Sequence, residues 1–263
     1  MHRGKLELLT RLGFAARGFM YIVIGWLALK AGRAEDAKGA LEYLSHGASK
    51  PLLHVMAVGF LSYGLWRLAN SWIDGDRHGS DSKGKAVRIG GAFSGLIHLG
   101  FFYYAARLIL GGDGSHGGGD SARDGTATAL SLPGGWTLVI AASICLVGVG
   151  GFQLIKAARA SFLKHLDGRA AGAGWVKLTG RIGYASRGIV FLIIAWFIGR
   201  AAWHERASEA GGMAEALSSL PQAFQLIVAA GLMLFGLFSL VEARHRQIAD
   251  PASMLPGKSA LGR

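Results

Sequence analysis

Ionisable side chains inside long apolar stretches are the residues of this 263-residue chain whose types could do chemistry. Arg17 and Arg187 hold equivalent places in two similar segments. No acidic residue lies in the middle of any apolar stretch, and the nearest to such a position is Glu242, near the end of the sixth. An unpartnered charge inside an apolar span is costly, so each arginine needs a partner or must reach the interface. We predict a structural ion pair between Arg187 and Glu242 that clamps two helices together.

Two other roles for these arginines stay open. Arg17 and Arg187 could bind an anionic ligand or a lipid headgroup, or they could line a transport pathway. Asn70 holds the position equivalent to Glu242 in the first repeat, so we expect Arg17 to contact Asn70, backbone carbonyls or lipid phosphate. Arg67 lies one turn from the end of its span, where we expect its side chain to extend to the interface.

His98 lies near the middle of the third apolar stretch, and with Asn70 it is a candidate polar site in the core. A buried imidazole can ligate haem or relay protons. Bis-histidine haem needs a second histidine at similar depth, and His54 lies close to the outer end of its span. We therefore expect a hydrogen-bonded core histidine, no haem and no other cofactor.

The sequence offers no catalytic motif. It contains no glycine-rich phosphate loop, no metal-ligand pair and no nucleophile elbow, and the spacing of serine, histidine and acidic residues assembles no triad. We predict no catalytic residue and no metal site. Asp113, Asp120 and Asp124 in the glycine-rich stretch 111–135 could hold calcium, but their spacing is irregular. We expect a mobile loop there.

The elements that must position these residues are membrane helices. The chain is 51% apolar and only 17% charged, with a mean hydropathy of +0.36. Six stretches have the length that crosses a bilayer, and in lipid they must be helical. These stretches lie near residues 12–32, 52–73, 89–111, 135–155, 182–201 and 223–241. The first resembles a cleaved leader, but its opening recurs within the chain, so we interpret it as a retained helix.

An internal repeat organises these stretches. Residues 11–18 read Arg-Leu-Gly-Phe-Ala-Ala-Arg-Gly, residues 181–188 read Arg-Ile-Gly-Tyr-Ala-Ser-Arg-Gly, and residues 88–95 are a worn copy. The return helices align on Gly64, Gly151 and Gly236. We predict an all-α integral membrane protein of six transmembrane helices, built as three repeated hairpins with pseudo-threefold packing. The units are 1–75, 76–160 and 161–250, followed by a tail at 251–263.

Short amphipathic segments at 40–44, 129–133 and 216–221 should lie at the outer interface as single turns of helix. Lysine and arginine are distributed unevenly about the spans. Seventeen lie in the first 11 residues, the 74–88 and 156–181 loops and the C-terminal tail, whereas eight lie on the other side. This asymmetry predicts cytoplasmic termini. The basic face should attract anionic headgroups, and we expect no nucleic-acid partner.

The doubled motif Arg-x-Gly-[Phe/Tyr]-Ala-x-Arg-Gly, together with the return helix ending in Glu242-Ala-Arg244, resembles a bacterial membrane family known as domain of unknown function 1206. The resemblance implies an inner-membrane location and three tandem two-helix units, but no activity. Repeat two departs from the motif at Gly91 and Ser94.

Two function classes remain. The first is a non-enzymatic structural or accessory protein that packs beside a larger membrane complex or organises lipids. The second is a small transporter or channel with its pathway along the repeat axis. The helices here lack midplane acids, which transporters built from repeats usually contain.

Overall fold

A computed structural model describes residues 3–30, 34–74, 79–112 and 121–247 of the chain. These residues form ten α-helices joined by short loops and turns of 3₁₀ helix, and the described part contains no β-sheet. The helices are α1 (Arg3–Lys30), α2 (Ala37–Leu44), α3 (Lys50–Ile73), α4 (Ser82–Ile109), α5 (Ser121–Leu130), α6 (Gly135–Arg159), α7 (Gly168–Gly172), α8 (Gly174–Trp203), α9 (Met213–Ser218) and α10 (Gln222–His245).

Six of these helices are long and apolar enough to cross a membrane: α1, α3, α4, α6, α8 and α10. The shortest of them has 24 residues, which at ~1.5 Å per residue exceeds a hydrocarbon core of ~30 Å. The prediction of an all-α protein with six membrane-spanning helices is confirmed. The helices extend several residues beyond most of the expected stretches, because polar residues at their ends continue the same backbone geometry.

Three short helices follow the first long helix of each repeat and precede the second. Helices α2, α5 and α9 occupy the places where single amphipathic turns were expected. Asp36 caps α2 by accepting a hydrogen bond from the Gly39 backbone N–H at 2.9 Å. Helix α5 begins well before the expected turn, and Asp124 lies in its first turn. The other two calcium candidates, Asp113 and Asp120, lie outside the described residues.

The long helices pack one against the next in a curved row, whose end helices α4 and α6 face each other without packing along their lengths in the described part of the chain. Helix α1 packs against α10 and α3, α3 also packs against α4, and α10 against α8, which in turn packs against α6. The order across the row is therefore α4, α3, α1, α10, α8, α6. The first and last long helices of the sequence lie together at its centre, and the two helices of repeat two lie at its ends.

Repeats one and three form packed hairpins, but repeat two does not. A Cβ on Gly13 would lie 2.4 Å from Tyr63 Cβ, and one on Gly183 would lie 2.5 Å from Phe235 Cα, so each pair of helices is in close contact. A Cβ on the equivalent Gly90 would meet nothing within 4 Å. Among the described residues, α4 and α6 do not pack along their lengths. The expected third hairpin is thus open, and pseudo-threefold packing stays a prediction.

The end of the molecule that carries the basic loops is closed by an ordered connection. Leu166 and Arg246 form a single antiparallel bridge, and the backbone N–H of Asp167 donates to the His245 carbonyl at 3.0 Å. The Asp167 carboxylate caps α7 through the Ala170 backbone N–H and contacts His245 Nδ1 at 2.9 Å. The hydrogen bond from Ala170, followed by that from His245, lowers the pKa of Asp167. The connection between α6 and α8 is therefore fixed to the end of α10.

Candidate functional site: the buried arginine cluster

Glycine contacts set how closely the long helices approach. A Cβ on Gly18, Gly95 or Gly188 would lie 2.9 to 3.0 Å from the carbonyl oxygen of Gly236, Gly64 or Gly150, respectively. The backbones of the two helices therefore touch at each of three interfaces, as small residues allow in membranes. Each interface joins the return helix of one repeat to the first helix of another. The three return-helix glycines are spaced 86 residues apart.

This spacing corrects the alignment expected for repeat two. Gly150, not Gly151, makes the contact equivalent to those of Gly64 and Gly236, because a Cβ on Gly151 would meet nothing within 4 Å. The shift by one residue changes which side chains are equivalent further along the return helices. Position 242 corresponds to Asn70 in repeat one and to Lys156, rather than Ala157, in repeat two.

Arg17 and Glu242 form a buried ion pair at the centre of the row. Arg17 Nη2 lies 2.5 Å from Glu242 Oε2, and only 8% of Arg17 and 2% of Glu242 is exposed. Arg17 Nε also donates to Ser239 Oγ at 3.2 Å, and Nη1 donates to Tyr63 Oη at 3.2 Å. Arg246 Nη1 donates to the second carboxylate oxygen of Glu242 at 3.0 Å. Both charges of the pair are thus hydrogen-bonded by neighbours.

The expected pair between Arg187 and Glu242 is not formed, and this prediction was wrong. Arg187 precedes Gly188, whose backbone touches α6, whereas Arg17 precedes Gly18, whose backbone touches α10. Arg17 is therefore the arginine that points along α10 towards Glu242. The expectation that Arg17 lacks an acidic partner fails for the same reason.

Arg187 has aromatic neighbours instead of a carboxylate. Its Nε donates to Tyr21 Oη at 2.9 Å. The guanidinium carbon lies 5.5 Å from the centre of the Tyr21 ring and 4.9 Å from those of Phe191 and Phe235. Aromatic faces attract a cation but do not neutralise it. Arg187 is half-buried, whereas Arg17 is buried.

Arg67 belongs to this cluster, although the sequence predicts that its side chain extends to the membrane interface. Its Nε is buried without a hydrogen-bond partner. A Cβ on Gly95 would lie 3.2 Å from Arg67 Cβ, and one on Gly91 would lie 3.9 Å from Arg67 Cζ. The side chain therefore extends beside α4, where Gly91 leaves room for the guanidinium. The 86-residue spacing was the signal that would have identified it, because Arg67 aligns with Ser239, the partner of Arg17.

Lys156 is a second residue that the sequence interpretation missed. Its Nζ lies 4.4 Å from the centre of the Tyr184 ring. Glu242, Arg246, Arg17 and Arg67 all act on it electrostatically. Helix α6 thus contributes a cation to the same region as α1, α3 and α10, although it lies at one end of the row.

His98 is a buried core residue, as expected, with one of its nitrogens unpaired. Its Nδ1 lies 2.7 Å from the Ser94 carbonyl oxygen, so Nδ1 carries the proton and Nε2 of the neutral ring is an acceptor. Nε2 is buried without a partner. The ring lies among Phe60, Tyr63 and Phe101. No group of three or more histidine, cysteine or acidic residues among the described residues could hold a metal ion.

Asn70, the other residue of the expected core polar site, is half-buried on α3 and aligned with Glu242 and Lys156. The structure brings Arg17, Glu242 and Lys156 together and places Arg187 and His98 beside them. The cluster therefore places positive charges among the helices, and its side chains present N–H groups as hydrogen-bond donors.

Comparison with known proteins returns a family and a relative. The family described as Domain of Unknown Function (DUF1206) matches residues 12–74, 89–160 and 182–246, one segment for each repeat. An uncharacterised protein of Bacillus subtilis (strain 168), YxxB, is 30% identical over 252 residues, covering 90% of each chain. No solved structure matches.

Proposed function

Because the chain belongs to the DUF1206 family, whose description names no activity, we propose a function from the geometry: a non-enzymatic accessory protein of the bacterial inner membrane that associates with anionic lipids. It packs beside a larger membrane complex or organises the lipids around itself.

The observation that carries the proposal is an imbalance of charge inside the helices. Arg17, Arg67, Lys156 and Arg187 lie within the long helices, where Glu242 is the only buried carboxylate among the described residues. Cations in a region of low dielectric require compensating anions. Anionic lipid headgroups are the abundant anions at this surface of a bacterial membrane. Their phosphates would supply the charge that the described residues do not.

The basic loops support the same partner. The segments 156–181 and 74–88, which follow the second long stretch of repeats two and one, carry six and four lysines and arginines. Each basic residue near an anionic bilayer surface contributes about 1 kcal/mol of attraction. The side with the larger excess is the cytoplasmic side in our proposal.

The ends of the helix row supply the surface for a neighbour. The buried share is 22% along α4 and 17% along α6, against 61% along α1. Both ends present apolar side chains such as Phe93, Ile97, Ile144 and Phe152. Lipid chains or the helices of a larger complex would cover these faces.

The test is the lipid that stays with the protein. The chain would be purified in mild detergent from bacterial membranes, and native mass spectrometry would identify bound lipids. We expect anionic phospholipids to be retained above their share of the membrane and to raise the melting temperature more than zwitterionic ones. Equal retention and equal stabilisation by both classes would contradict the proposal.

A small transporter is the second candidate, and one observation favours it. Arg187 is half-buried among helices of membrane-spanning length, and within the described residues α4 and α6 do not pack along their lengths. Reconstitution into liposomes with an anion-sensitive dye would test it. Flux of a small anion that depends on Arg187 would favour transport, and its absence would favour the accessory role.

A further inference from the structure

Each interface between two repeats contains one arginine at the same level. Arg17 meets Ser239 where α1 touches α10. Arg67 holds the Ser239 position on α3, beside Gly91 and Gly95 of α4. Arg187 holds the Arg17 position on α8, next to Gly188, whose backbone touches α6. Its side chain contacts Tyr21 and Phe235. Repeat two has lost the arginine of the motif, but its interface retains one from the opposite helix. The charge is therefore maintained at every interface, whichever helix supplies it.

Only one of the three arginines is neutralised. Arg17 is paired with Glu242, whereas neither Arg67 nor Arg187 forms an ion pair within the part of the chain that the structure describes. Arg67 Nε is buried without a partner. Arg187 has a tyrosine hydroxyl and three rings around it. Two guanidinium groups thus have donors available for an oxyanion.

An acceptor lies among these donors. The three arginines all act electrostatically on the His98 ring, whose Nε2 is buried and unpaired. Because Nδ1 donates to the Ser94 carbonyl, Nε2 calls for a hydrogen-bond donor such as a hydroxyl. A ligand that suits the group has anionic oxygens and a free hydroxyl close to them.

The open contact of repeat two gives such a ligand a path from the bilayer. Where Gly13 and Gly183 are covered by Tyr63 and Phe235, Gly90 meets nothing within 4 Å. Val149, which holds the position of Tyr63 and Phe235, is 42% exposed. Apolar side chains therefore border an opening that leads towards charged ones. A molecule with a charged head and apolar chains matches that order.

We infer that Arg67, Arg187 and His98 bind one anionic phospholipid between α4 and α6. The phosphodiester accepts hydrogen bonds from Arg67 and Arg187, and a hydroxyl of its glycerol headgroup donates to His98 Nε2. The acyl chains lie along the open faces of α4 and α6. This site rests on the proposed association with anionic lipids, and it names the lipid class and the residues that select it.

The experiment measures lipid affinity in variants of the full chain. Delipidated protein in detergent would be titrated with dioleoylphosphatidylglycerol, dioleoylphosphatidylcholine or inorganic phosphate, and binding would be followed by native mass spectrometry. Arg67→Gln and Arg187→Gln should each weaken phosphatidylglycerol binding about tenfold or more, because each removes a charge-assisted hydrogen bond. Lys177→Gln is the matched control, since Lys177 is an exposed cation on α8.

His98 is tested through selectivity rather than affinity alone. Replacing His98 with Phe should reduce the preference for phosphatidylglycerol over phosphatidylmethanol, an anionic lipid whose headgroup has no hydroxyl. Arg67→Lys should restore part of the affinity lost in Arg67→Gln, and melting temperatures would show which variants remain folded.

The outcomes separate the site from the function on which it rests. Equal affinities in Arg67→Gln, Arg187→Gln and Lys177→Gln would overturn the interior site and leave the association with anionic lipids in place. If the unmodified chain bound phosphatidylglycerol no better than phosphatidylcholine, the proposed function would fail as well. Inorganic phosphate binding as tightly as the lipid would overturn the lipid as occupant, in favour of a free anion.

Discussion

Arg17 and Glu242 are the residues whose pairing has the largest consequence for stability. Removing one partner of a buried ion pair leaves an uncompensated charge, which typically costs 3 to 5 kcal/mol. Both side chains here are almost fully buried, so Arg17→Gln and Glu242→Gln should each lower the free energy of unfolding by about that amount.

A double-mutant cycle tests this assignment. The double variant of Arg17 and Glu242 should lose less stability than the two single variants summed, because they share one interaction. Arg187→Gln combined with Glu242→Gln is the control and should be closer to additive. Thermal unfolding in detergent would give both comparisons. Strong coupling of Arg187 rather than Arg17 to Glu242 would contradict the structure.

Sequence patterns located the charged residues but did not assign their partners. Counting residues along a helix predicts similar depths in the membrane for Arg187 and Glu242, and similar depths are compatible with an ion pair between them. Depth says nothing about the direction in which a side chain leaves the helix, and that direction depends on which glycine touches which helix. Lys156 was missed because a one-residue error at Gly150 changes the face of its return helix.

Glycine contacts dominate at the scale of the helix. A Cβ on Gly236 would lie 2.6 Å from the Gly18 carbonyl oxygen and 2.9 Å from the Ile22 backbone nitrogen, neither of which can move without shifting α1. Gly236→Ala should therefore be clearly destabilising, and Gly150→Ala should be so to a lesser degree. Gly151→Ala is the matched control and should be neutral or stabilising by about 0.5 to 1 kcal/mol through helix propensity.

Melting temperatures of these three variants in one detergent would check the order. A loss of stability in Gly151→Ala equal to that in Gly150→Ala would mean that the repeat is aligned on the wrong residue. Gly150 and Gly151 are adjacent, so the two alanine variants have the same composition and almost the same depth in the membrane. A difference in their stability therefore reports the helix contact.

The connection through Asp167 predicts a pH dependence. Because the pKa of Asp167 is lower in the folded protein than its usual value of 3.8, its contribution to stability is present above that value and is lost as the pH falls through the folded pKa. Asp167→Asn should thus lower the melting temperature at neutral pH, and the difference from the unmodified chain should shrink below about pH 4. A difference that stays constant down to pH 3 would contradict this.

The existence and number of the long helices could be predicted from the sequence, because twenty apolar residues in lipid leave no other conformation. The order of the helices could not. The repeat suggested three equal hairpins, yet α4 and α6 separate. Gly90 and Val149 show why this is hard to foresee: a missing contact leaves no pattern in either segment.

Topology belongs to the whole molecule and follows from the uneven charge of its two ends. We expect Ser82, at the start of α4, to face the cytoplasm and Ser208, between α8 and α9, to face outwards. Both positions are exposed. Single cysteines at each position in a Cys145→Ala background would be labelled from outside intact cells with an impermeant maleimide. Labelling of position 82 but not of position 208 would show that the topology is the inverse of the one predicted.

The pairing of Arg17 with Glu242 also has a consequence for synthesis. The two residues are 225 positions apart in the chain, yet they meet at the centre of the helix row. At 5 to 20 residues per second, α1 enters the membrane roughly 10 to 45 s before its partner exists. During that interval Arg17 must be held by lipid phosphate or by the insertion machinery. A chain that stops before α10 would keep Arg17 without Glu242, and such truncated products should be recognised and degraded rather than accumulate.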